Sequence, residues 1–282
     1  MAQFKIVSDS TCDLSSDLIR RYDIDIVPLY VNFGEDSFRD GVDLTVPQMY
    51  AQVKERGFLP KTAAATPGDF LSVFQNYVDQ GIDILYLGIG AKFSATLQSA
   101  TLAKNELPGG RIFLVDSANL SSGSGLLLLK AASFRSAGDP IETVVDKIRD
   151  LVPKVRTQFV INTMEYLYKG GRCTALAAIM GTILKIKPII KVKDGAMHVG
   201  KKPHGRIQAG LDVLVDEVLE LKDQLDPEHL MVTHSLAHES SRYIVERLKG
   251  VLPVENIHVT DAGCVISSHC GEGCIGILYI LK

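Results

Sequence analysis

Residues Ile82 to Lys104 read IDILYLGIGAKFSATLQSATLAK. The apolar run Ile82–Leu87 has the texture of a buried strand, and it stops at Gly88-Ile89-Gly90. A turn follows, and Ser94 stands at the start of a segment with helical spacing. A strand, a glycine turn and a helix N-terminus leave backbone N–H groups without intrahelical partners. Those donors and the positive end of the helix dipole predict a site for a negatively charged group. Ser94 is placed to cap the helix, to offer its hydroxyl to a ligand, or both.

The rhythm of strand and helix continues on both sides. Phe4–Ser8 reads as a strand, residues 13–22 as a helix, and Ile24–Phe33 as a second strand with a hairpin at Gly34-Glu35-Asp36. Thr45-Val46-Pro47 and Thr66-Pro67-Gly68-Asp69 open helices, the second with Thr66 as N-cap and Pro67 at the first helical position. Arg111–Asp116 is another strand, and a helix follows from about Ser121. This alternation predicts an α/β fold with a mainly parallel sheet. An amphipathic helix runs from Ile141 to about Val155, after which the texture changes. Cys173–Leu184 reads as a small-residue helix and Lys187–Val199 as a hairpin turning at Asp194-Gly195. The expected division is a domain of residues 1–156 and a second, smaller, mixed α/β domain of residues 157–282.

With 282 residues, 46% of them hydrophobic, the chain can bury a large core. A net charge of −3 gives no reason to expect nucleic acid. No segment approaches the ~20 apolar residues that span a bilayer. The strand-like start lacks a basic region and a cleavage site, so the expected location is cytoplasmic. Five cysteines, odd in number, then read as reduced thiols. Cys264, His269, Cys270 and Cys274 match no standard zinc spacing, and no metal is expected. His234 and His238 have i,i+4 spacing, but a strand ends near His234, so a shared helical face is not expected.

Ligands of α/β sheets sit beyond the carboxyl ends of strands. Five places qualify on that ground. Asp9, Ser10 and Asp13 follow the first strand and read chiefly as helix caps and loop ties. Thr62 precedes Ala63-Ala64-Ala65, where a close approach to a ligand is sterically open. Ser94 is the third, and Asp116-Ser117 with Ser121, Ser122 and Ser124 is the fourth. The fifth is Lys169-Gly170-Gly171-Arg172, ahead of a basic stretch. From Lys185 to Arg206 there are seven Lys/Arg and one acid, Asp194. That stretch reads either as a solvated strand face or as a positive rim facing an anion or a phosphate-bearing partner. His269 lies in a glycine-rich loop before the last strand.

The usual enzyme motifs are missing. There is no GxxxxGK[ST] loop and no GxSxG elbow, and Gly88-Ile89-Gly90 lacks the third glycine of the dinucleotide fingerprint. Hydroxyls and cations point to recognition of an anion rather than to a reaction.

In order along the chain stand Asp9-Ser10-Thr11-x-Asp13-Leu14, Thr62 with Pro67-Gly68-Asp69-Phe70, and Ser94-x-Thr96-x-Gln98-Ser99-Ala100. Asp116-Ser117 with Gly123-x-Gly125, Leu167-x-Lys169-Gly170-Gly171-Arg172, Lys187-Pro188-Ile189 and Gly263-x-Val265-Ile266-x-x-His269-x-Gly271-x-Gly273 follow. Together they resemble the DegV family of bacterial fatty-acid-binding proteins over essentially the whole chain. The resemblance implies two α/β domains with one long-chain fatty acid between them. It further implies that the bound lipid is presented to a separate ATP-dependent fatty acid kinase, which makes acyl phosphate for phospholipid synthesis. Position by position, Thr62 and Ser94 match the family's carboxylate-binding hydroxyls and His269 its headgroup histidine. Arg172 and Arg206 match arginines linked to the headgroup or to kinase docking. Ala95, beside the binding serine, stands where the family commonly has glycine, and Ser267 and Glu272 stand where glycine and proline are usual.

A ~16-carbon chain buried at ~0.8 kcal/mol per methylene gives on the order of 11 kcal/mol. That offsets the several kcal/mol needed to dehydrate a carboxylate, provided it is well hydrogen-bonded. A phosphate would more naturally recruit lysine or arginine directly. The expected role is therefore a lipid-binding carrier, not an enzyme, with no cofactor besides its lipid and no stable membrane insertion. The rival class is a stand-alone small-molecule kinase or hydrolase, which would need a nucleotide site or a metal. A lipid sensor without a transfer role is the third reading.

Overall fold

A computed structural model describes residues 4–172 and 186–282. The expected helix over Cys173–Leu184 lies outside the described residues. Three sheets organise the described residues. The first contains β1 (Phe4–Asp9), β2 (Ile24–Val27), β6 (Asp83–Gly88) and β7 (Ile112–Asp116), all parallel in the order β2-β1-β6-β7. The second is a small antiparallel sheet, β4-β3-β5, made of β3 (Tyr30–Phe33), β4 (Asp36–Arg39) and β5 (Lys61–Ala63). The third has six strands in the order β10-β9-β8-β13-β11-β12. Its members are β8 (Val155–Val160), β9 (Ile189–Lys193), β10 (Ala196–Val199), β11 (Leu225–His234), β12 (Asn256–Asp261) and β13 (Ile275–Leu281). All its pairings are antiparallel except β11 with β12. The fold is thus α/β, with a parallel sheet in the first half and a mixed sheet in the second.

The helices are α1 (Ser16–Arg21), α2 (Val46–Arg56), α3 (Pro67–Asp79), α4 (Thr96–Asn105), α5 (Ser122–Ser136), α6 (Ile141–Leu151), α7 (Glu165–Lys169), α8 (Ile207–Glu220), α9 (His238–Leu248) and α10 (Cys264–Cys270). Capping boxes start α2 at Thr45 with Gln48 and α3 at Thr66 with Asp69, where the early prolines fall. None of the described helices is long and apolar enough to cross a membrane.

Several local expectations change. The strand expected over Ile24–Phe33 is two strands in two sheets, because Pro28 lies between them and has no N–H for a ladder. Thr62 sits in β5, paired with Val31. His269 belongs to the last turn of α10, not to a glycine-rich loop. The helix expected to reach Val155 gives way after Leu151 to a single 3-10 turn, and Val155 begins β8. The 156/157 division therefore falls inside the first strand of the mixed sheet.

α5 explains how the halves join. Residues Ser122 to Ala132 are all buried, so the helix has no solvent face over most of its length. Leu126–Leu129 share one core with Phe4, Ile6, Leu85 and Leu87 of the parallel sheet and with Met231, Leu278 and Ile280 of the mixed sheet. Its small residues permit that approach. A Cβ on Gly123 would lie 2.3 Å from Asn119 Oδ1, and one on Gly125 would lie 2.7 Å from the Cys12 carbonyl oxygen.

Candidate functional site

β1 and β6 are neighbours, and the chain leaves them towards opposite edges of the parallel sheet, so their carboxyl ends flank the crevice where α/β folds hold phosphates. Here that crevice is filled from within. The Asp9 carboxylate, at the end of β1, accepts hydrogen bonds from the Ile89 amide at 2.9 Å, the Tyr86 hydroxyl at 2.9 Å and the Thr11 amide at 3.0 Å. A Cβ on Gly88 would stand 2.0 Å from Asp9 Oδ2, which is why the strand ends on glycine. The Gly90 amide donates to the Asn119 carbonyl and the Ala91 amide to Asp116 Oδ1. These three amides, expected to await an anion, are committed to the fold. Lys92 follows them and donates to the Asp194 carbonyl at the hairpin tip between β9 and β10.

The cavity lies beyond this turn, where all three sheets meet. The space between its lining atoms comes to about 890 Å³ with the open solvent at its mouth included. Its walls are largely apolar: Ile89, Phe93, Leu120, Phe159, Met197, Val265, Ile266 and Leu278 contribute. Thr62, Ser94, Arg172 and His269 bring polar groups to the same cavity, together with Ala63 and Ala64. Ala95 and Arg206 are not among its lining residues. Both are exposed, Ala95 ahead of α4 and Arg206 ahead of α8.

Thr62 Oγ1 and His269 Nε2 are 2.8 Å apart. Burial, and secondarily the Arg172 guanidinium, lower the His269 pKa to about 4, so the ring is neutral at pH 7. Its Nδ1 is buried and has no hydrogen-bond partner among the described residues. Gly170 faces that atom so closely that a Cβ there would lie 2.2 Å from it. Ser94 Oγ lies 2.7 Å from Thr96 Oγ1 and accepts from the Thr96 amide at 3.3 Å, which joins it to the start of α4. Arg172 is exposed and donates to the Gly170 carbonyl at 2.8 Å.

What holds His269 in place was only partly visible in the sequence. Asp13 Oδ1 accepts from the Gly263 amide at 2.8 Å, and Asp40 Oδ1 from the Cys264 amide at 2.7 Å. Two buried carboxylates thus anchor the N-terminus of α10, and burial raises the pKa of both. Ser10 donates to Asp40 at 2.9 Å, and Ser121 donates to Asp13. Asp13 and Ser10 act as ties, while Asp40 carried no recognisable signal because its partner lies 224 residues away. Around α5, Ser117 and Ser124 pair at 3.0 Å, and Ser122 pairs with Thr233 of β11. Those serines are seams between elements.

Part of the basic stretch is paired. Lys191 and Lys201 both reach Glu217, at 2.7 and 3.4 Å, and Lys187 donates to the Asn162 carbonyl. Lys185 and Cys173 lie outside the described residues. Cys12, Cys264, Cys270 and Cys274 are buried free thiols, and burial pushes Cys12 up to about 12.

Comparison with known proteins agrees with this architecture. The family model described as "Uncharacterised protein, DegV family" matches residues 3–282. A DegV domain-containing protein of Clostridium acetobutylicum is 32% identical over 286 residues, covering 100% of both chains. Among solved structures, a DegV family protein from Thermus thermophilus described by its fatty acid binding superposes with a TM-score of 0.92 at 30% identity, covering 99% of this chain and 100% of that one. A stearic acid-binding protein from Eubacterium ventriosum gives 0.87 at 30% identity, over 99% and 98%. With a match along nearly its whole length and relatives this similar, the chain belongs to the DegV family.

Proposed function

We propose that this protein binds one long-chain fatty acid in the cavity, with its alkyl chain against the apolar walls. Thr62 and Ser94 hold the carboxylate, His269 supports it through Thr62, and Arg172 stands at the headgroup. The observation that carries the reading is a largely apolar cavity whose polar lining is mostly hydroxyls, Thr62 and Ser94 among them, with a neutral His269, His234 and one arginine. A carboxylate needs several donors and little net charge, whereas a phosphate needs more cations. The Asp9 carboxylate in the sheet crevice argues against a nucleotide there, and so against a stand-alone kinase.

The proposal extends to transfer. In the cytoplasm, a separate ATP-dependent kinase would phosphorylate the presented carboxylate, giving acyl phosphate and ADP for phospholipid synthesis. Arg206, exposed and away from the cavity, belongs in that reading to the surface that faces the kinase. Native mass spectrometry of the purified protein is expected to show one bound fatty acid, with at least tenfold weaker retention in Ser94→Ala and Thr62→Ala. A protein that carries no lipid and binds nucleotide instead would overturn the reading. With lipid bound, a cognate kinase and ATP should yield acyl phosphate; no product would leave a sensor or store.

A further inference from the structure

At one wall of the cavity, β11 ends at His234, itself a lining residue, and α9 begins at His238. The turn between them is fixed. The Ser235 amide donates to the Cys274 carbonyl at 2.8 Å, the Gly273 amide donates to the Ser235 carbonyl at 2.8 Å, and Leu236 adopts φ 51°. A left-handed backbone at a leucine is costly and persists only where its surroundings enforce it. The turn folds His238 back over His234, with ring centroids 4.8 Å apart and edge to face. Asp261 is the direct neighbour of His234 in the parallel β11–β12 ladder. One donor atom from each of the three residues lies within 4.8 Å of the others.

His234 is 3% exposed, and its Nδ1 has no hydrogen-bond partner among the described residues. That nitrogen sits 3.3 Å from Asp261 Oδ1, without the alignment of a hydrogen bond. A simple histidine–aspartate bond would answer for the distance but not for the misalignment. In a tetrahedral zinc site, bonds of about 2.0–2.1 Å place neighbouring donors about 3.3 Å apart. Asp261 and His238 are exposed, so a fourth position faces solvent.

We propose that His234, His238 and Asp261 form a binding site for a divalent transition-metal ion of the zinc class, completed by water. Two imidazoles and one carboxylate favour zinc or cobalt over magnesium or calcium, which take oxygen ligands. Burial lowers the His234 pKa, and a neutral imidazole is the form that ligates. The two histidines lie on different elements, His234 at the end of β11 and His238 at the start of α9, as the strand ending near His234 implied. The turn, not the helix repeat, brings them together. The site does not depend on the lipid reading, since none of its ligands holds the proposed carboxylate.

The test uses tag-free full-length protein treated with chelator and titrated with zinc chloride by calorimetry. Cobalt chloride serves as a spectroscopic probe of tetrahedral geometry. One equivalent is expected to bind, with tetrahedral cobalt absorption and at least tenfold loss of affinity in His238→Ala and Asp261→Asn. His198→Ala, an exposed histidine elsewhere, should bind as the wild type does. Absence of a saturable equivalent, or unchanged affinity in His238→Ala, would overturn the proposal. His238 is exposed at a helix start, so its removal tests ligation rather than folding.

Discussion

At the scale of single residues, the decisive contact is that of Gly170 with His269. Lys169-Gly170-Gly171-Arg172 invites a reading through its charges, yet its first glycine is there for space. An added methyl would lie 2.2 Å from His269 Nδ1 and 2.9 Å from the Tyr166 carbonyl oxygen. Gly170→Ala must therefore displace the imidazole and break its 2.8 Å contact with Thr62. Fatty acid affinity is expected to fall about tenfold, or ~1.4 kcal/mol, while far-UV circular dichroism stays unchanged. Displacement of a fluorescent fatty acid measures it, and unaltered affinity would remove His269 from the site. Thr62, Ser94, Arg172 and His269 were legible as candidates because each follows or precedes a break in the apolar pattern. Their meeting in one cavity was legible only through the family resemblance, since Thr62 and His269 are 207 residues apart. Asp9, read chiefly as a cap and loop tie, does cap the turn after β1 through the Thr11 amide, and it also closes the crevice.

At the scale of elements, α5 is the piece on which both sheets depend. The run Gly125-Leu126-Leu127-Leu128-Leu129 reads in the sequence as a buried helix start, and it is one. What periodicity leaves open is what covers each face, because a helix apolar all round has no preferred side. Gly125→Ala would press a methyl against the Cys12 carbonyl at 2.7 Å and the Leu14 side chain at 2.9 Å. Backbone cannot yield as a side chain does, so a loss of about 1–3 kcal/mol is expected, read as a lower urea midpoint at unchanged slope. A wild-type midpoint would mean the helix can shift in its groove. Short elements were the least legible. β5 has three residues and α10 seven, too few for a repeat to declare itself, and α10 is held by Asp13 and Asp40 from far along the chain.

At the scale of the whole molecule, buried titratable groups set opposing responses to acid. Burial, with His229 and Arg21 nearby, lowers His258 to about 4. Between about pH 6.5 and 4 the unfolded chain takes up a proton that the folded protein refuses, so stability falls as pH falls. Asp9, Asp13 and Asp40 have raised pKa values and act the other way, holding protons in the fold that the unfolded chain has released. Comparing variants separates the two. His258→Gln removes the histidine's share, so its stability loss between about pH 7 and pH 5 should be smaller than the wild type's by on the order of 1 kcal/mol, after allowance for partial exposure. Urea unfolding at the two pH values checks this; identical losses would place His258 outside the acid response.

The order of strands in the mixed sheet has a consequence for biosynthesis. β13 is the last strand in chain order, yet it sits at the middle of its sheet, between β8 and β11. Gly276 and Leu278 of that strand line the cavity, and the Gly273 and Cys274 backbone pins the turn after His234. While β13 is still inside the ribosome, β8 and β11 have no common partner and the cavity lacks a wall. The nascent chain can complete its parallel sheet early, but it has nowhere to hold a ligand. Loading of the cavity is thus confined to the time after β13 emerges, and a stalled or truncated chain would expose the apolar faces of β8 and β11 instead.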